Sequence, residues 1–162
     1  MSVPESIQAF SIRALVENTI FLSSLTSWIL AQLIKVLIIL FGGRKRPLRE
    51  LVEIVIWRTG GMPSSHAATV TSLTVAVAIR EGLGSTLFAI CFFFALIVMR
   101  DATGVRRSSG LQAKALNLLG KKTGEHLGFD YNPVKEIQGH TPLEVIVGAL
   151  LGIFIAAAYA WL

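Results

Sequence analysis

The chain has 162 residues, of which 53% are hydrophobic and 15% charged, with a mean hydropathy of +0.65 and a net charge of +5. One domain, residues 1–162, is the natural count, and so much apolar surface excludes an ordinary soluble globule, whose charged share is nearer a quarter. The cations flank apolar segments without interleaved aromatics, which excludes nucleic acid and points to membrane lipid and phosphate; the single Cys91 excludes an intrachain disulfide.

In chain order, residues 1–14 are mixed and read as an interfacial or frayed start. Ala14 to Phe41 is apolar and long enough to cross a hydrocarbon core of roughly 30 Å. Its length, the interrupting Lys35 and the lack of a small-residue cleavage site argue against a signal peptide. Gln32 and Lys35 are three residues apart and share one helix face. Lys35 either snorkels to the interface or faces the bundle interior as an anion ligand. A basic segment follows (Arg44, Lys45, Arg46, Arg49, Arg58), and within it Glu50 to Trp57 reads as a short amphipathic piece along the membrane.

Gly60-Gly61-Met62-Pro63-Ser64-Ser65-His66 stands where this basic segment meets the next apolar one. The glycines allow positive φ and close approach of backbone N–H groups to a ligand, and Pro63 suits the first turn of a helix. Ser64 and Ser65, with the free N–H groups of that turn, can hold an anion against the positive end of the helix. His66 adds a proton carrier near neutrality. The plainer reading is a turn and a capped helix. From His66 to Arg80 that helix measures about 22 Å, short of a full span. Its Thr, Ser and Ala content suits the inside of a bundle.

Ser85 to Met99 is the most hydrophobic run and is expected to face lipid. Charges appear abruptly in Arg100 to Arg107, where Asp101 reads either as an ion-pair partner of Arg100 or Arg106 or as a supporting member of a site. Residues 108–122 keep a helical pattern, and residues 123–139 read as a polar loop with His126 on the surface. Gly139-His140-Thr141-Pro142-Leu143-Glu144 opens a last apolar helix to Leu162, with Gly148 and Gly152 as a packing face.

These runs predict an all-α polytopic membrane bundle of about four helices. Of the 15 Lys and Arg, five lie in residues 42–64 and seven in 100–140. The positive-inside rule therefore puts both segments in the cytoplasm. That topology gathers His66, Asp101 to Arg107 and His140 on one face. Two histidines in a cationic pocket suit phosphoryl transfer, one attacking phosphorus and the other protonating the departing oxygen. Arg and Lys would neutralise the non-bridging oxygens. Glu144, four residues after His140, can set its tautomer, close a capping box with Thr141, or do both. The histidines and scattered carboxylates lack a dense metal-ligand spacing, and neither metal nor cofactor is expected.

Three segments carry a family resemblance: Gly60-Gly-Met-Pro-Ser-Ser-His66, Asp101-Ala-Thr-Gly-Val-Arg-Arg107 and Gly139-His-Thr-Pro-Leu-Glu-Val145. In that order they resemble the motifs of the divergent type-2 phosphatidic acid phosphatase family, small membrane proteins labelled acid phosphatase/vanadium-dependent haloperoxidase-related. Ala31 to Lys35 is similar to that family's first-helix motif, and the match spans about residues 28 to 153. The resemblance implies His66 as leaving-group acid, His140 as nucleophile and Glu144 in place of an aspartate. Around them Lys35, Ser64, Ser65, Arg106, Arg107 and Lys135 are expected on phosphate, with Gln32, Gly61 and Asp101 supporting. The superfamily's arginine six residues before the nucleophile is replaced by Val134, with Lys135 beside it. Of its lysine–six–Arg-Pro motif only Arg46-Pro47 stands, because Ile39 occupies the lysine position.

The expected activity is hydrolysis of a lipid phosphate or diphosphate through a phosphohistidine, in the cell membrane with the site on the cytoplasmic side. A non-catalytic protein that keeps the anion pocket is the alternative, and a vanadate-dependent peroxidase a distant third. A homo-oligomer is left open.

Overall fold

The computed structural model of the protein describes residues 12–42, 61–137 and 139–161. Within them the chain forms α1 (Ile12–Val16), α2 (Thr19–Phe41), α3 (Ser65–Glu81), α4 (Thr86–Thr103), α5 (Val105–Leu127) and α6 (Pro142–Ala160). The described residues are all-α, as the apolar runs predict. Helices α2, α4 and α6 are long and apolar enough to cross a membrane. The protein is an integral membrane bundle.

The short helix is the centre of that bundle. At 17 residues, α3 reaches only about 26 Å, and it packs against α2, α4 and α6. Ala67, Ala68, Val70, Ser72, Thr74, Ala76 and Val77 are buried on it. Their small size lets neighbouring backbones come close, which is what drives helix association where lipid removes the hydrophobic incentive. Gly148 and Gly152 use that closeness: a Cβ on either would run into the carbonyl oxygens of Ser64 and Ala68 respectively. The expected packing face of α6 is therefore seated on the α3 backbone.

Hydrogen bonds tie the helices across the greasy interior. Thr74 Oγ1 donates to the Val70 carbonyl at 2.7 Å and to Cys91 of α4 at 3.2 Å. Thr26 of α2 and Tyr159 of α6 meet at 2.9 Å. On α2 the four-residue spacing of Ser23, Ser27, Ala31 and Lys35 makes one buried stripe, with Gln32 beside it. Outside, Ile90, Phe93, Phe94 and Ile97 of α4 stand exposed for lipid.

Some boundaries differ from the sequence reading. The first helix is divided, because the Asn18 side chain accepts from the N–H groups of Ile20 and Phe21 and so caps a new helix. Pro63 does not open α3. Ser64 is the cap, its hydroxyl accepting from Ala67 N at 3.3 Å, and Pro63 precedes it. Helix α5 runs on to Leu127, so the polar loop begins five residues later than expected and His126 sits in a helical turn, still exposed. Gly120 and Gly124 do not stop the helix; they make room for Tyr131 and Phe129, which fold back over them. Gly128, at φ +72°, does stop it. The amphipathic Glu50–Trp57 piece and the cations Arg44, Lys45, Arg46, Arg49 and Arg58 lie outside the described residues.

Candidate active site

The alternating run of the helices brings four chain segments to one end of the bundle. These are the C-terminal half of α2, the start of α3, the α4–α5 junction and the start of α6. At the turn before α3, Gly61 has φ +84°, the left-handed region that a glycine tolerates without penalty. Ser64 N donates to the Glu144 carbonyl at 2.9 Å, so the starts of α3 and α6 are joined through their backbones. His140 N donates to the Ala102 carbonyl at 2.9 Å, which fastens the start of α6 to the end of α4 as well.

That scaffold brings the two histidines face to edge. The rings of His66 and His140 have centroids 5.8 Å apart and planes at 67°. His140 is only 1% exposed. Its Nδ1 meets Glu144 Oε2 at 3.1 Å, and the same oxygen accepts from Thr141 N at 3.0 Å. With Glu144 N reaching Thr141 Oγ1 at 3.4 Å, the capping box is complete. Helix capping and histidine positioning thus coexist in one carboxylate. A carboxylate oxygen only accepts, so the proton belongs on Nδ1 and the lone pair on Nε2. His140 Nε2 and His66 Nδ1 are both buried without a hydrogen-bond partner among the described residues. Burial also holds the His140 imidazole below its ordinary range; the Glu144 hydrogen bond opposes this, while Lys35 and Arg106 add to it.

The cations are unequal. Lys35 does not snorkel: it is 3% exposed, and its Nζ donates to Ser65 Oγ at 3.2 Å. It lies within electrostatic reach of both histidines and of Glu144. Gln32, one turn back on the same face, is buried with it. Arg106 also reaches both histidines electrostatically, while its Nε donates to Asp101 Oδ2 at 2.6 Å. Asp101 is therefore the ion-pair partner of Arg106, half-exposed beside the site.

Other expected members stand apart. Arg107 is exposed, and its contribution to the site is backbone: Gly139 is pressed against it so closely that a Cβ would overlap. Lys135 is exposed in the loop, as is Val134. Ser64 is buried, with its hydroxyl engaged at the α3 cap. The sequence reading missed the Ala102 carbonyl as the anchor of His140. Gly139 was the available signal, since a glycine beside a candidate nucleophile marks close backbone approach. Among the described residues no group of three or more His, Cys, Asp or Glu gathers at metal-holding distance.

A membrane bundle with a short central helix and paired histidines at one end defines the class of protein. The family follows from comparison: the sequence matches the Divergent PAP2 family over residues 16–155, and the chain belongs to that family. It is similar to the "Uncharacterized membrane protein YuiD" of Bacillus subtilis (strain 168), with 42% identity over 158 residues, covering 91% of this chain and 97% of that protein. No solved structure matches.

Proposed function

We propose that this protein is a membrane phosphatase acting on a lipid phosphate or diphosphate. The observation that carries the reading is the histidine pair itself, with Glu144 on His140 Nδ1 and Nε2 left open. His140 Nε2 attacks phosphorus as a neutral imidazole. The bond from phosphorus to the leaving oxygen breaks, and that oxygen takes a proton from His66. Water then attacks the phosphohistidine, giving a proton back to His66 as the phosphorus–nitrogen bond breaks. Lys35 and Arg106 stabilise charge on the non-bridging oxygens, and the buried Lys35 does so with least competition from solvent. The cations of residues 100–140 stand on the α4–α5–α6 connection at the histidine end, which favours a cytoplasmic site in the cell membrane.

A specific observation favours a second reading, a non-catalytic anion-binding protein. Val134 replaces the superfamily's arginine, Lys135 beside it is exposed, and Arg106 is engaged by Asp101. Among the described residues the cationic complement is therefore thin. Phosphate release from a panel of lipid phosphates and diphosphates by purified protein separates the two. Turnover that disappears in His140→Ala supports the enzyme. Vanadate or phosphate binding without turnover of any substrate supports the binder.

A further inference from the structure

Helix α5 leaves the bundle: among the described helices its main packing is on α4, from which Gly104 alone separates it. Its 23 residues read VRRSSGLQAKALNLLGKKTGEHL, five cations against one carboxylate. At 100° per residue, Leu111, Ala115, Leu118, Leu119, Val105, Leu116 and Leu127 fall on one broad face. The large side chains on it are bare, with Leu111 61%, Leu119 64% and Leu127 68% exposed.

The opposite face is already covered, by the protein itself. Residues 128–137 and Gly139 run back along it, with Tyr131 over Gly120, Phe129 over Gly124, and Gly139 against Arg107. Asn117 holds this return segment: its Oδ1 accepts from Val134 N and Tyr131 Oη, and its Nδ2 donates to the Val134 carbonyl and Glu136. Among the described residues the apolar face is thus left uncovered.

We propose that the bilayer covers this face: α5 lies in the headgroup plane of the leaflet at the histidine end, leucines down and cations on anionic lipid. Two observations favour lipid over a protein groove. Helix α5 begins where the membrane-spanning α4 ends, so its first turn starts at the interface. The cations Arg107 and Lys114 border the leucine face on one side and Lys122 stands within it between Leu111 and Ala115, where their stems can lie on apolar surface and their heads reach phosphates. The return segment leads into His140, so the same seating holds the approach to the nucleophile at headgroup level. The placement does not depend on whether the site is catalytic.

The test uses the full chain in a Cys91→Ala background, one copy per nanodisc, spin-labelled in turn at Leu119→Cys and Lys121→Cys. Leu119 is central on the apolar face and Lys121 lies on the opposite side. In discs containing phosphatidylglycerol, the Leu119 label should be several-fold more accessible to oxygen than to a nickel chelate, and the Lys121 label should show the reverse. Lys114→Gln with Lys122→Gln should weaken the Leu119 signature, as should phosphatidylcholine alone. A Leu119 label as open to the nickel chelate as Lys121 in every lipid would overturn the proposal. So would protection that arises only with two copies per disc, which would mean that a second chain covers the face.

Discussion

The two ends of this bundle each hold a cation donating to a hydroxyl, and they differ in what surrounds the pair. At one end Lys35 Nζ meets Ser65 Oγ at 3.2 Å, buried, beside two histidines. At the other, Arg80 Nη1 meets Thr19 Oγ1 at 2.8 Å, exposed, at the rim of a cavity of about 290 Å³ that Tyr159 and Ile79 also line. The shorter bond is the weaker candidate. Arg80 can exchange its partner for water at little cost, whereas Lys35 has been taken out of solvent and is sustained there only by its surroundings. Burial, more than distance, separates a site from a helix end.

The sharpest way to break the comparison is His140→Ala, which should abolish turnover of lipid and aryl phosphates alike if the covalent intermediate forms on its Nε2. Retained turnover would remove the nucleophile assignment. His66→Ala should lower the rate on a lipid phosphate by roughly 10²- to 10⁴-fold, and by much less on a nitrophenyl phosphate, whose leaving group needs little protonation. Equal losses on both substrates would mean that His66 is not the acid. Lys35→Met should cost about 10²- to 10³-fold in kcat, the scale of one lost charge-stabilising donor. Circular dichroism should report an intact bundle, because removing a buried charge together with its desolvation cost need not destabilise the fold.

Smaller effects sharpen the same contrast. Burial depresses the His140 pKa, so the acid limb of the rate profile should lie below the ordinary histidine range, with activity lost only as falling pH protonates Nε2. The Glu144 hydrogen bond raises that pKa, so Glu144→Gln should move the limb further to the acid side. The same change should lower stability by up to about 1 kcal/mol through the cap. A limb that stays in place would separate Glu144 from the imidazole. Arg80→Met should be the mildest, within about 0.5 kcal/mol in stability and with unchanged turnover, as expected of an exposed pair.

Much of the architecture is legible in the sequence, because lipid makes apolar length a direct signal. Thr19–Phe41, Thr86–Thr103 and Pro142–Ala160 all fall where hydropathy puts them, and the shortness and small residues of α3 mark it as central. The shared end of His66 and His140 follows from alternation alone. What escapes is set by local contacts that hydropathy does not see. Asn18 interrupts an apolar run by offering its own cap. Gly120 and Gly124 look like breakers, yet their missing side chains are filled by Tyr131 and Phe129. Lys35 could have snorkelled. Its inward turn depends on Ser65 and the histidine end, 30 residues away in sequence.

The shared oxygen of Glu144 has a thermal consequence. One atom both closes the first turn of α6 and fixes the His140 tautomer. Fraying of that turn frees the imidazole to rotate and to take its proton on either nitrogen, while the remaining length of α6 stays seated on α3 through Gly148 and Gly152. Helix ends open far more readily than whole helices. On warming, the chemistry should therefore switch off reversibly several degrees before the bundle melts.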